Sequence, residues 1–225
     1  MKQYFIDFLV NNYYFIMKSM LLMWVITLIF SLDRIVVLFR KISKKTWLIL
    51  FLVIIMGFII RMWFVPHTHH VYFDEFEHIN IAENLMYNGN FFVTLKGTDR
   101  FCEAYIIQFW PPGYHSILAL VFSIFGNTEN VAFNLSVIIA SLSILIIFLV
   151  SYLLFSKENI ALFTAFLFNL IPVHLKYSGA SEPGIASLFF ILVTIFCSLI
   201  YLKFSNFKTL FLLIFTGAFT IYTRP

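Results

Sequence analysis

Asp74 and Glu75 stand side by side in HVYFDEFEHINIAENL, residues 70 to 85, with Glu77 and His78 close behind. Carboxylates gathered this way serve as general acids and bases, as metal ligands or as helix caps. From Asp74 onward the pattern is helical. Ile79, Ala82 and Met86 form an apolar stripe, Glu77, Asn80 and Asn84 a polar one, and Gly89 ends the segment. Asp74 with Glu77 three residues on has the form of a capping box, a structural use that competes with chemistry. Glu75 is different: it falls one turn before Ile79 on the apolar stripe, where capping does not account for it, and a desolvated carboxylate is a marker of function.

Other residues could join them. His67, His69, His70 and His78 suggest a metal, with imidazoles at a lipid headgroup boundary as the plainer alternative. In FWPPGYHS, Trp110 and Tyr114 are interfacial anchors, while Pro111 and Pro112 make a rigid turn into a short helix. That helix would face the Asp74 helix across a groove lined by Trp110, Pro111, Pro112, Tyr114 and His115. In KYSGASEPG, Glu182 precedes the helix-starting Pro183, where a carboxylate also suits the helix dipole. Arg61 and Arg224, at the ends of apolar runs, can snorkel to a membrane surface.

The elements that position these residues must sit in lipid. The 225-residue chain is 61% hydrophobic with 30 Phe and only 12% charged residues, and its mean hydropathy is +0.93. This apolar surface comes in blocks and exceeds what one soluble core could hide. The formal charge of +4 lies between those blocks rather than on a face interleaved with aromatics, so nucleic acid is excluded as a partner. Cys102 and Cys197, one polar and one apolar in setting, have no metal-site spacing and do not suggest a mutual disulfide. The first apolar run starts late, contains Lys18 and lacks a small-residue cleavage site, unlike a signal peptide.

The blocks predict an all-α, polytopic transmembrane protein with about six spans: 17–32, 46–65, 131–155, 160–173, 184–202 and 209–222. The fourth and sixth are short. Arg34, Arg40, Lys41, Lys44 and Lys45 between the first two form the densest basic cluster, which the positive-inside rule puts in the cytoplasm. The span after it then runs outward, leaving residues 66–128 as an outer loop with interfacial amphipathic helices. Residues 113–125, about 13 in number, are too short to cross and lie at the outer interface. With that choice Lys157, Lys203 and Lys208 fall inside, and Asp74, Glu75, Lys176, Glu182 and Arg224 share the non-cytoplasmic face; if the segment crossed, the basic loops would fall outside. The orientation of the first 33 residues is left undecided.

FDE after an outward span, WPPGY at a short interfacial helix, SGASEP heading a later span and TRP closing another occur in an order that resembles the GT-C superfamily of membrane glycosyltransferases. That group includes the protein O-mannosyltransferases and the aminoarabinose transferases. The resemblance covers residues 46–225, as the N-terminal part of such a domain, and leaves 1–45 as an extra hydrophobic segment and basic loop. It implies inverting sugar transfer from a polyprenyl-phosphate donor to a protein, lipid or glycan acceptor at the outer face of a cell membrane. Asp74 would then be the base, Glu75 its orienting partner and Glu182 a second acidic residue, with Arg224 and Lys176 at the donor phosphate. No cofactor is required by these motifs, though a divalent metal would be compatible. Family members continue well past TRP, so the expectation includes a fragment, or a second polypeptide supplying the missing spans. Two rival readings are a non-catalytic membrane partner and a transporter half. The latter calls for charged residues and broken helices at mid-span, of which the apolar blocks show little.

Overall fold

The computed structural model describes residues 2–69, 72–89, 91–94, 105–107 and 111–223. Among them the chain is an all-α bundle: α1 (Lys2–Phe39), α2 (Lys44–Ile59), α3 (Tyr72–Asn88), α4 (Gly113–Phe125), α5 (Glu129–Phe155), α6 (Glu158–Asn169), α7 (Pro172–Ser178), α8 (Pro183–Phe204) and α9 (Phe207–Thr223). A π-helical turn, Ile60–Phe64, continues α2, and β1 (Phe92–Thr94) pairs antiparallel with β2 (Tyr105–Ile107), Val93 opposite Ile106. This two-stranded ribbon is the one departure from the helical expectation among the described residues.

Four helical segments are long and apolar enough to cross a membrane: Lys18–Phe39, Lys44–Phe64, Glu129–Phe155 and Pro183–Phe204. The block read as one span over 160–173 is instead broken. Helices α6 and α7 meet at a 59° bend, because Pro172 has no N–H to continue the ladder and disfavours helical geometry in the residue before it. The block at 209–222 is the 17-residue α9. At 1.5 Å per residue α9 is about 25 Å long, shorter than the ~30 Å of a hydrocarbon core. Six apolar blocks therefore become four full-length spans, a broken fifth and a shorter sixth helix.

The bundle has two chemically distinct ends. At one, the turn between α1 and α2 meets the start of α6: the Glu158 carboxylate accepts from Ser43 N–H (2.9 Å), Ser43 Oγ (2.7 Å) and Thr46 Oγ1. There also Ser31 Oγ donates to Lys208 O at 3.2 Å and Lys208 Nζ lies 3.5 Å from Asp33. Arg34, Arg40, Lys41, Lys44, Lys45, Lys157, Lys203 and Lys208 thus gather at one end. From that turn helix α1 packs on α9, with Trp24 Nε1 donating to Thr216 Oγ1 at 2.9 Å. Lipid gives no hydrophobic drive between spans, so close approach matters more. Ala161 and Ala165, fully buried four residues apart, let α6 lie against α5, where Ser151 and Thr164 hydroxyls meet at 3.2 Å.

At the opposite end α3 and α4 lie together. Their buried faces, Ile79, Ile81, Ala82 and Leu85 against Tyr114, Leu118, Ala119 and Phe122, close a core with Ala132, Leu135, Ile185 and Ala186. Both ends of α4 stay here. Gly113 backs onto α9 so closely that a Cβ would stand 2.7 Å from Tyr222 O. Past its other end, Asn127 Nδ2 donates to Glu83 Oε1 of α3 at 2.9 Å. Helix α4 therefore does not cross the bundle, in agreement with the sequence reading.

Candidate active site

Helix α3 carries the acidic pair. It stops where Gly89 takes φ +70, a left-handed conformation that glycine adopts without a Cβ clash, and Gly89 N–H bonds Leu85 O. At the other end the helix begins at Tyr72, so Asp74 lies inside the first turn rather than at the N-cap. The capping-box reading of Asp74 is corrected accordingly: its backbone is already helical. Asp74 is half-buried, and among the described residues nothing hydrogen-bonds its carboxylate.

Glu75 is 0% exposed, as its place on the apolar stripe implies. Its Oε2 accepts from Ser181 N–H at 3.0 Å and from His69 Nδ1–H at 3.1 Å. His69 makes tilted ring contacts with Phe76 and Phe133, and its Nε2 lies 3.6 Å from Glu129 Oε2 at the start of α5. A buried carboxylate oxygen without such donors would be costly to bury. Four elements thus converge on one oxygen: the segment after α2, α3, the loop before α8 and, through His69, α5.

Tyr114, in the first turn of α4, is fully buried with its hydroxyl 3.1 Å from Ser181 Oγ. Burial pushes its phenol up to about 12, hydrogen bonds to Ser181 and Ser136 pull it back, and the charges of Glu75 and Glu182 add to the rise. Both carboxylates are therefore electrostatically in touch with one phenol. Glu182 occupies the N-cap of α8, with Pro183 as the first helical residue, but its side chain makes no capping bond. Its position is the expected one; its capping use is not.

His115, also fully buried, adds a second polar pair. Its Nδ1 faces Pro111 O at 3.1 Å and its Nε2 faces His78 Nδ1 at 2.8 Å. A carbonyl only accepts, so Nδ1 of His115 holds the proton, its Nε2 accepts, and His78 donates from Nδ1. Burial, then the neighbouring His78, drive His115 well below the usual imidazole range, while the bond to Pro111 opposes them.

Of the other expected site residues, Pro112 is the N-cap of α4 and Pro111 precedes it. Lys176 is exposed on α7 with its Nζ 5.5 Å from the Tyr177 ring centroid. Trp110 and Arg224 lie outside the described residues, as does Cys102; Thr223, the residue before Arg224, is buried beside Gly113. Among the described residues no three His, Cys, Asp or Glu side chains converge as ligands for a divalent cation. Sequence reasoning missed Ser181 and the bond from His69 to Glu75. A backbone N–H carries no sequence signal, and His69 was one of four candidates in a cluster.

Arg61 corrects another expectation. Rather than snorkelling, it is fully buried in the π-helical turn after α2, bonded to Asn169 and His174.

Residues 110–225, just over half of the chain, match the sequence profile of the dolichyl-phosphate-mannose-protein mannosyltransferase family. No curated protein and no solved structure is matched. The matched region runs from the proline turn through α9 and contains Tyr114, Ser181 and Glu182, while Asp74 and Glu75 reach the site from outside it. By that match, and with the helices of a multi-pass integral membrane protein, the chain belongs to the dolichyl-phosphate-mannose-protein mannosyltransferase family, membrane glycosyltransferases of the GT-C type.

Proposed function

We propose that this protein transfers a sugar from a polyprenyl-phosphate carrier to an acceptor hydroxyl at the non-cytoplasmic face, with inversion at the anomeric carbon. The observation that carries the reading is the unequal treatment of two adjacent carboxylates. Glu75 is fully buried and its Oε2 holds two donors, whereas Asp74 is half-buried and unengaged among the described residues. A base must be accessible to the proton it takes, and its orienting partner must be fixed. Asp74 is accordingly the base and Glu75 its positioner.

In the step, Asp74 takes the acceptor's hydroxyl proton as the oxygen attacks the anomeric carbon from the face opposite the phosphate. The bond from that carbon to the phosphate oxygen breaks, and its electron pair leaves with the phosphate. The growing charge on the phosphate calls for a cation. Arg224, which follows the buried Thr223 in the chain, is assigned to it, with Lys176 as the lesser candidate and Glu182 as the second acidic residue near the site. The gathering of basic residues at the opposite end of the bundle supports the non-cytoplasmic placement.

The test is transfer from dolichyl-phosphate-mannose in membranes containing the protein. Asp74→Asn is expected to abolish transfer with the amount of protein in the membrane unchanged. Near-normal transfer by that variant would reject Asp74 as the base. Absence of transfer by the unaltered chain would favour a non-catalytic partner of such an enzyme.

A further inference from the structure

Arg61 has no carboxylate within ion-pair distance among the described residues. Its Nη1 donates to Gly57 O at 2.9 Å and to Asn169 Oδ1, and its Nη2 to Asn169 O at 3.5 Å and to His174 Nδ1 at 2.9 Å. A guanidinium only donates, so His174 accepts at Nδ1 and carries its proton on Nε2. Asn169 is the last residue of α6, where the free carbonyls of a helix carry partial negative charge. Arg61 therefore neutralises the broken end of α6 and at the same time holds α7 through His174. The fit is tight: a Cβ on Gly57 would stand 2.5 Å from both Asn169 Oδ1 and Ile144 Cδ1.

Stability is a poor explanation for this cluster. A buried ion lacking a counterion is disfavoured against apolar packing of the same volume. Arg61 Nε and His174 Nε2 are moreover buried with no acceptor among the described residues. What the cluster supplies is a fixed geometry for two segments that leave it. One, residues 65–69, follows the π-helical turn, is tied back by His67 Nε2 donating to Arg61 O at 3.2 Å, and ends with His69 on Glu75 Oε2. The other is α7 and the loop after it, where Gly179 is wedged against Pro66, a Cβ there standing 2.5 Å from Pro66 O. That loop ends with Ser181 N–H on the same Glu75 oxygen.

We propose that Arg61, Asn169 and His174 form a clamp across the broken span that sets where His69 and Ser181 meet Glu75. They are positioning residues, acting through those two donors. Only the effect on transfer rests on the function proposed above; the effect on the Ser181 loop does not.

Ser181 is 0% exposed, so a cysteine placed there reports the loop directly. Ser181→Cys, made with Cys102→Ser and Cys197→Ser, is labelled with N-ethylmaleimide in membranes. Labelling is expected to be slow in this parent and about tenfold faster or more once Asn169→Leu or His174→Leu is added. It should stay slow with His174→Asn, whose Oδ1 can stand in for Nδ1 as the acceptor. Fast labelling of the parent, or equal rates in parent and Asn169→Leu, overturns the clamp whatever the enzymatic activity. In the chain with its native cysteines and Ser181, Asn169→Leu should lower kcat with dolichyl-phosphate-mannose while the donor KM holds, and His174→Asn should retain kcat where His174→Leu loses it. Unchanged kcat in both leucine variants overturns action through Glu75. A wild-type chain without transfer rejects the functional reading and leaves the labelling result standing.

Discussion

At the residue scale, neighbours in sequence receive opposite environments because α3 turns by about 100° per residue. Glu75 points into the bundle with Ile79 and Ala82, and Asp74 toward the rim. The apolar stripe made Glu75 legible in advance. Its partners were not, since they come from 6 residues upstream and 106 residues downstream. The buried pair of His115 and His78 was equally hidden, the two lying 37 residues apart, and it has a consequence for pH. His115 stays neutral in the fold well below its ordinary range, whereas in the unfolded chain it takes a proton near pH 6.5. Below about that pH the unfolded state binds the extra proton, so this contribution to stability is complete above pH 6.5 and is lost as the pH falls, by up to ~1.4 kcal/mol per unit. Thermal unfolding in detergent across pH 4.5 to 7 should show a falling midpoint on the acid side, with a shallower fall in His115→Gln.

At the scale of elements, hydropathy located the apolar helices and periodicity located α3, but neither showed the short α7, the start of α1 at Lys2 or the break in the fourth block. Helix α4 was identified as non-crossing from its length and from the side on which it left the lysines, and the structure keeps both its ends at one end of the bundle. The break at Pro172 was not identified, because an apolar block of the right length conceals a bend whose polar partner, Arg61, is supplied by another helix. Glycine substitutions test the packing of these elements. Gly113→Ala would place a methyl 2.7 Å from Tyr222 O and 2.9 Å from Thr223 Cγ2; with backbone on one side little can give, and a loss of about 1–3 kcal/mol is expected. Gly217→Ala meets nothing nearer than Thr194 Cγ2 at 4.0 Å. In a helix interior that change should be neutral or stabilising by about 0.5–1 kcal/mol. Unfolding midpoints of the two variants, measured in the same detergent, should therefore move in opposite directions or only the first should fall.

At the scale of the whole molecule, the two ends of the bundle differ in charge and in task. One gathers the basic turns around Glu158, and the other holds the carboxylates, the buried histidines and the proline turn. Asn130 and Asn159 are exposed in the first turns of α5 and α6, at opposite ends of the bundle. In a background with serine at both native cysteines, Asn130→Cys should react with a membrane-impermeant maleimide on intact cells, and Asn159→Cys only after permeabilisation. The reverse result would place the site in the cytoplasm.

The bond from Ser181 to Glu75 also fixes an order of events during synthesis. Glu75 leaves the ribosome 106 residues before its backbone donor, an interval of roughly 5 to 20 seconds at about 5–20 residues per second. Through that interval the buried face of α3 lacks the loop before α8 and Glu75 lacks its backbone donor. Helices α5 to α7 must be threaded and folded back before the loop can arrive. The buried setting of Glu75 is thus one of the last features this stretch of chain acquires, and a chain arrested before α8 would hold the acidic pair without the backbone donor that fixes Glu75.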